Sequence, residues 1–282
     1  MIHFINRLFF FTIILIGATF CKGQNQLDLF NIDHDQARQT ELPGKLKEIS
    51  GIALSEQGKL FAHDDERAVI YQIDPDDGHI IKDFYFGFFV KTADFEDIEI
   101  VGKDFYLITS NGILYKFKEG ADGQRVDYEA IDTGLKKGND VEGLCYDPAT
   151  NCLLLALKGY PGAGLDKDFK TVYSFHLSTG EREKKPRFVM NHDEIKERSK
   201  ENDFDPSAIT RHPVSGDFYI IAASGNLMVQ LDAQGAIQGI QKLSRKLHKQ
   251  PEGIVFSKDG KKLYISDEGK KHGTLTTYTN SK

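Results

Sequence analysis

Short apolar runs alternate with polar clusters along most of the chain, and the alternation itself repeats. Five segments follow one plan: "LKEISGIALSEQGKLFAHDDERAVIYQID", "DFEDIEIVGKDFYLITSNGILYKFK", "DVEGLCYDPATNCLLLALKG", "DPSAITRHPVSGDFYIIAASGNLMVQLD" and "QPEGIVFSKDGKKLYISDEGKKHGTLTTY". Each has an acidic or hydroxyl residue near its start, then an apolar strand, a turn, an aromatic or Leu-rich strand, a small polar cluster and a third strand. The turns "SEQG", "VGKD", "DPATN", "HPVSGD" and "SKDGKK" supply the Gly, Asn, Asp and Pro that tight hairpins need. Second strands such as "DFYLIT" and "CLLLAL" are rich in aromatic and branched residues, as buried strands are. Third strands such as "AVIYQID" alternate apolar with polar, as expected farther from a core.

Taking Glu48, Glu96, Glu142, Ser207 and Glu252 as equivalent positions gives spacings of 48, 46, 65 and 45 residues. Four antiparallel strands per roughly 40 to 50 residues describe a propeller blade. The fold class is therefore all-β: a β-propeller of five visible four-stranded blades, or six if the stretch from Arg187 to Asp205 hides a degenerate one. The long interval contains "NHDEIKERSKEND", Asn191 to Asp203, a short solvated helix with Asn191 as N-cap and Glu194 three residues later. The last repeat ends on its third strand, so "ARQTELPGKL", Ala37 to Leu46, is expected to supply the missing outer strand and close the ring.

The stretches "LPGKLKEISGIALSE", "DFEDIEIVG", "DVEGLCYDP", "FDPSAITRHPVSGDFYIIAAS" and "PEGIVFSKDGKKLYISDEG" resemble the SdiA-regulated (YjiK-type) family of bacterial envelope β-propellers, over roughly Ala37 to Thr279. That resemblance implies a propeller related to the NHL-repeat and gluconolactonase-like groups. It implies a fold rather than a particular reaction.

Composition adds a compartment. The chain has 282 residues, net charge -6, and 36 Lys and Arg scattered without a basic patch, so no nucleic-acid footprint is present. At the N-terminus, "LFFFTIILIGATF" is an apolar run too short to span a membrane and suited to a signal peptide. The expected layout is residues 1–23 as signal peptide, 24–36 as a lead and 37–282 as one propeller domain. Cutting before Cys21 with lipidation, or retention as an anchor, are the alternatives, and only in those two cases is membrane association expected, through this segment. The protein is thus read as exported to the periplasm or cell envelope. Cys145 and Cys152, either side of "DPAT", are expected as free, buried, small apolar residues.

Channel chemistry follows from the repeat. First strands line a propeller's channel, so Glu48, Glu96, Glu142 and Glu252 are expected to converge at one mouth, as a metal set if a cation is held. Asp64, Asp65, Asn111, Asn226, Asp267 and Glu268 border the same end, and the Gly-rich connection Leu157 to Val172 adds Lys158 and Tyr160 as ligand-contacting side chains. A ring of carboxylates repels itself and needs compensation. Three forms are open: a cation such as Ca²⁺, pairing with Lys158 or Arg67, or hydrogen bonds that each Glu accepts from backbone N–H groups of the next blade. The first reading is a binding or scaffold module for a small polar ligand or an envelope protein, with Ca²⁺ as the one candidate cofactor and no organic cofactor. The alternative is a calcium-dependent hydrolase of lactones, esters or phosphoesters acting at the mouth. No "GxSxG" elbow or zinc spacing occurs, and His63 beside Asp64 is the one histidine placed to act as a base.

Overall fold

Each repeat folds into one antiparallel sheet, and five such sheets stand around a common axis as a five-bladed β-propeller. The computed structural model describes residue 32 and residues 36–87 and 93–279. The innermost strands are Ile49–Leu54, Phe95–Val101, Val141–Asp147, Asp205–Arg211 and Pro251–Phe256. Each packs against the next around the ring, and the fifth returns to the first. The N-terminal segment lies outside the described residues, so the expected signal peptide has no structural counterpart here.

Burial explains the architecture. Five apolar clusters occupy the five gaps between neighbouring blades, so each blade buries one face against each neighbour. The second strands are buried almost throughout, Cys152–Leu157 at every position, which is why they read as apolar runs. Aromatic side chains dominate the gap between blades 1 and 2, where Phe61 meets Phe105 edge-on at 4.9 Å and Phe86 stacks on Phe117 at 4.7 Å.

Closure uses the predicted lead. Arg38–Glu41 pairs antiparallel with Thr274–Thr279, giving blade 5 its fourth strand from the other end of the chain. The stretch after Arg187 does not make a sixth blade. Its strand Phe188–Asn191 pairs with Phe169–His176 and extends blade 3. A helix, His192–Ser199, follows, and the Asn191 side chain accepts the Asp193 N–H at 2.8 Å as N-cap. Cys145 and Cys152 are free and buried, Cys145 opposite Leu154 and Cys152 opposite Asp147 in their shared hairpin.

Candidate functional site

One end of the channel is built by a defect repeated in all five inner strands. The pairing register slips in each: between Ile49 and Ile52, Phe95 and Asp97, Val141 and Gly143, Pro206 and Ala208, and Pro251 and Gly253, with a second slip between Asp205 and Pro206 in the fourth strand. A bulge inserts one unpaired residue and re-aims its side chain. The inserted residues are Ser50, Glu96, Glu142, Ser207 and Glu252, with spacings of 46, 46, 65 and 45. The sequence alignment is therefore corrected at its first member: Ser50, not Glu48, matches the other four, because Ser50 follows the paired Ile49 as Glu96 follows Phe95, Glu142 follows Val141, Ser207 follows Pro206 and Glu252 follows Pro251.

Glu48 belongs to a second tier. Two residues before each bulge stand Glu48, Asp94, Asp140, Asp205 and Gln250, at the same spacings. A third tier comes from the ends of the second strands. The N–H of Asp65 donates to Glu48 O at 3.3 Å, that of Ser110 to Asp94 O at 3.1 Å, that of Lys158 to Asp140 O at 2.8 Å and that of Glu268 to Gln250 O at 2.9 Å. The three tiers surround a cavity of about 250 Å³ lined by Glu48, Asp65, Asp94, Glu96, Asp140, Glu142, Glu252 and Glu268, with Lys158 as its one lysine. All four residues of the expected metal set thus reach one cavity. Asp94, Asp140 and Gln250 were missed, although their periodicity was as regular as that of the bulge residues.

Compensation at this mouth is partial. Lys158 Nζ lies 2.7 Å from Glu142 Oε1, and Lys47 Nζ lies 2.9 Å from Glu48 Oε1. Burial would lower the Lys158 ammonium's pKa, but the hydrogen bond to Glu142 and the surrounding acids raise it. Burial first, and then the charge of Glu142, push Glu96 up to about 10 and Glu252 up to about 8. Burial also raises Glu142, against the pull of Lys158. Asp65 is pushed up to about 6 by burial and by Glu48. Glu96 and Glu252 therefore hold protons at neutral pH, because one lysine cannot balance the set. No three of these carboxylates bring ligand oxygens within 4.8 Å of one another; among the described residues the trio that does is Asp74, Asp77 and His79, in an outer turn.

Hydrogen bonding between blades falls to other groups than the bulge glutamates. Asp97 accepts the N–H of Leu144 on the next blade at 2.7 Å and that of Ile98 at 2.8 Å. Glu99 does the same with Tyr146 and Ile100, each at 2.8 Å. Ser50 and Ser207 donate to the next blade's Glu96 O and Pro251 O, both at 2.6 Å, and Ser266 donates to Ser50 O at 3.1 Å. The reading in which each channel Glu ties its blade to the neighbour's backbone gives way to this one: the ties are made by Asp97, Glu99 and three serines.

The remaining sequence candidates are dispersed. Asp65, Lys158 and Glu268 line the cavity. Asp64 is buried and bound to Arg67 at 2.8 Å, which takes Arg67 out of the mouth. Asn111 accepts the Thr109 hydroxyl at 2.7 Å within its own turn. Asn226 adopts a left-handed conformation, φ 48°, and its amide donates to His248 O at 2.6 Å. Asp267 binds His248 Nδ1 at 2.8 Å, and Tyr160 is exposed outside the cavity lining. His63 is fully buried. Its Nε2 accepts the Gly51 N–H at 3.1 Å, its Nδ1 faces Asp64 O at 3.0 Å, and burial lowers it to about 4, so it is a neutral structural group rather than a base.

Comparison with known proteins agrees with the fold. A sequence model of the SdiA-regulated family matches residues 29–271. Among solved structures, the Myxococcus xanthus glutaminyl cyclase superposes with a TM-score of 0.57 at 12% identity, covering 86% of this chain and 95% of that one. A luciferin-regenerating enzyme superposes with a TM-score of 0.54 at 11% identity, covering 87% and 96%. The PQQ-bound aldose sugar dehydrogenase of Streptomyces coelicolor does so with 0.53 at 12%, covering 86% and 98%. At such identities the likeness concerns the propeller alone. No curated protein sequence matches the chain.

Proposed function

The chain belongs to the SdiA-regulated family, and from the chemistry of its channel mouth we propose that it is an exported binding module whose acidic cavity takes up a divalent cation, Ca²⁺ first among them. One observation carries this reading: eight carboxylates from four blades face one cavity that contains a single lysine. Hard cations such as Ca²⁺ take roughly 6 to 8 oxygen ligands, and carboxylates with water supply them. Glu96 and Glu252 are half-buried, so their side chains have room to turn inward from the spread arrangement. A bound cation replaces the protons held there, and uptake is therefore coupled to proton release.

The test is calorimetric titration of the metal-free protein with CaCl₂ at pH 6 and pH 8.5. Affinity should rise by at least about tenfold at the higher pH, and Glu142→Gln or Glu252→Gln should lower it by a similar factor. Absence of a binding heat at millimolar Ca²⁺ at both pH values, with no rise in melting temperature, would refute the proposal.

The hydrolase reading rests on one further feature: in it Glu96, pushed up to about 10 in the metal-free protein by burial and by Glu142, stays outside the cation's ligand set and delivers its proton to a leaving group. If so, Glu96→Gln should abolish turnover of ester, lactone or phosphoester substrates while Ca²⁺ binding persists. Turnover that survives in that variant would remove Glu96 from the chemistry.

A further inference from the structure

A second cavity, of about 670 Å³, opens beside the first and shares Glu268 with it, yet its rim has the opposite character. Lys246 and Lys249 come from the loop before the last inner strand, and Lys270, Lys271 and His272 from the loop after Asp267. Among the described residues none of these four lysines has a carboxylate within 4.0 Å, in a protein whose net charge is -6. The acids in the wall are already engaged: Asp267 with His248 at 2.8 Å, Glu41 with His272 at 3.5 Å, and Glu268 with the Gln250 amide.

Both lysine-bearing loops are anchored. Glu268 and Gly269 donate their N–H groups to Gln250 O and Lys47 O, each at 2.9 Å, and Gly273 O accepts the Leu42 N–H at 2.9 Å. A side chain at Gly269 would collide with His272 O and one at Gly273 with Leu46 O, so this loop turns sharply and presents Lys270 and Lys271 at its tip. Across the cavity, His248 is wholly buried, held by Asp267 and by the Tyr278 hydroxyl at 2.6 Å, and it fixes the backbone beside Lys249. The Gln39 amide donates to Leu247 O at 2.8 Å and to Thr276 Oγ1 at 2.9 Å, joining the closing strand to the first of these loops.

We propose that this cavity, at the seam where the N-terminal strand closes the ring, is a binding site for a small phosphorylated ligand. Lysine ammoniums bind phosphate as point charges with rotatable donors, and four of them border this one concavity. The volume exceeds a bare phosphate and lies in the range of small-molecule pockets, roughly 300 to 1,000 Å³. The site shares Glu268 with the mouth, but none of its four lysines lines that cavity.

The experiment is titration of the full chain with inorganic pyrophosphate at low ionic strength, followed by calorimetry. Binding should weaken by about tenfold or more in Lys270→Gln/Lys271→Gln and likewise in Lys246→Gln/Lys249→Gln. It should change by less than about twofold in Lys184→Gln/Lys185→Gln, a surface pair on blade 3 outside the cavity. Melting temperatures of all three double variants should match the native protein, since every substituted side chain is at the surface. Equal weakening by the control pair, or no pyrophosphate binding, would overturn the proposal. Sedimentation with phosphatidylglycerol vesicles separates the sources of phosphate: lysine-dependent association with vesicles, without pyrophosphate binding, would overturn it in favour of a membrane surface.

Discussion

Glu96 and Asp97 are neighbours on one strand, and they do opposite things. Asp97 is buried, and its two oxygens receive two backbone N–H groups, one from its own strand and one from the next blade. Glu96 is the bulged residue beside it, turned into an open cavity where its nearest influences are another carboxylate, Glu142, and the shared Lys158. Burial raises both carboxyls, but N–H donors oppose the shift at Asp97 and an ammonium opposes it at Glu96. A carboxylate satisfied by fixed backbone donors is a joint; one left facing other acids is a place for something else to bind.

The largest effect should come from breaking the joint. Asp97→Ala leaves the N–H groups of Leu144 and Ile98 without acceptors in a dry setting and opens a gap between blades 2 and 3. The expected cost is about 2 to 4 kcal/mol, a fall in melting temperature on the order of 10 °C. Glu96→Ala, one residue away, should cost far less. Equal losses from the two substitutions, measured by calorimetry, would erase the distinction.

The next effect comes from the residue that makes room for the joint. A Cβ at Gly51 would meet the Asp97 carboxylate and lie 2.8 Å from Ile98 N, both on the neighbouring blade. Gly51→Ala should therefore force blades 1 and 2 apart, at about 1 to 3 kcal/mol. A urea midpoint unchanged from the native protein would show that the ring yields there at no cost.

Much of this was legible before folding was considered, and the exceptions have physical causes. Turn chemistry and the five-fold repeat marked the blades, and Asn191 marked the inserted helix. The lead at Ala37 could be placed because a ring whose last repeat lacks a strand must find one elsewhere. Glu48 was misaligned because a bulge adds a residue without changing composition, so "EISG" could be matched on its acid instead of its serine. Asp94, Asp140 and Gln250 were passed over because their side chains precede the strands, where alternation stops informing. Asn111 and Asn226 were overrated: short amides in turns satisfy local backbone or hydroxyl partners, and such bonds leave no periodic trace.

The smallest effect has the opposite sign and tests the mouth. Glu96 ordinarily titrates at 4.5 and is pushed up to about 10, so the folded protein holds its proton where the unfolded chain has lost it. Such a group gives its full stabilisation below the unfolded value and loses it as pH rises through the folded one. With Glu252 at about 8 and the half-buried Glu99 at about 7, the metal-free protein should lose stability from about pH 6.5 to pH 9, above the range in which His63, lowered to about 4, works the other way. Glu96→Gln fixes one member in the neutral form. The variant should match the native protein at pH 5 and melt higher by on the order of 3 °C at pH 9, giving a shallower pH dependence. Calcium at millimolar concentration should raise the native protein's melting temperature at pH 9 more than the variant's, because the variant has lost a ligand along with a repulsion. Parallel pH curves for the two proteins would mean that Glu96, like Asp97, is a joint after all.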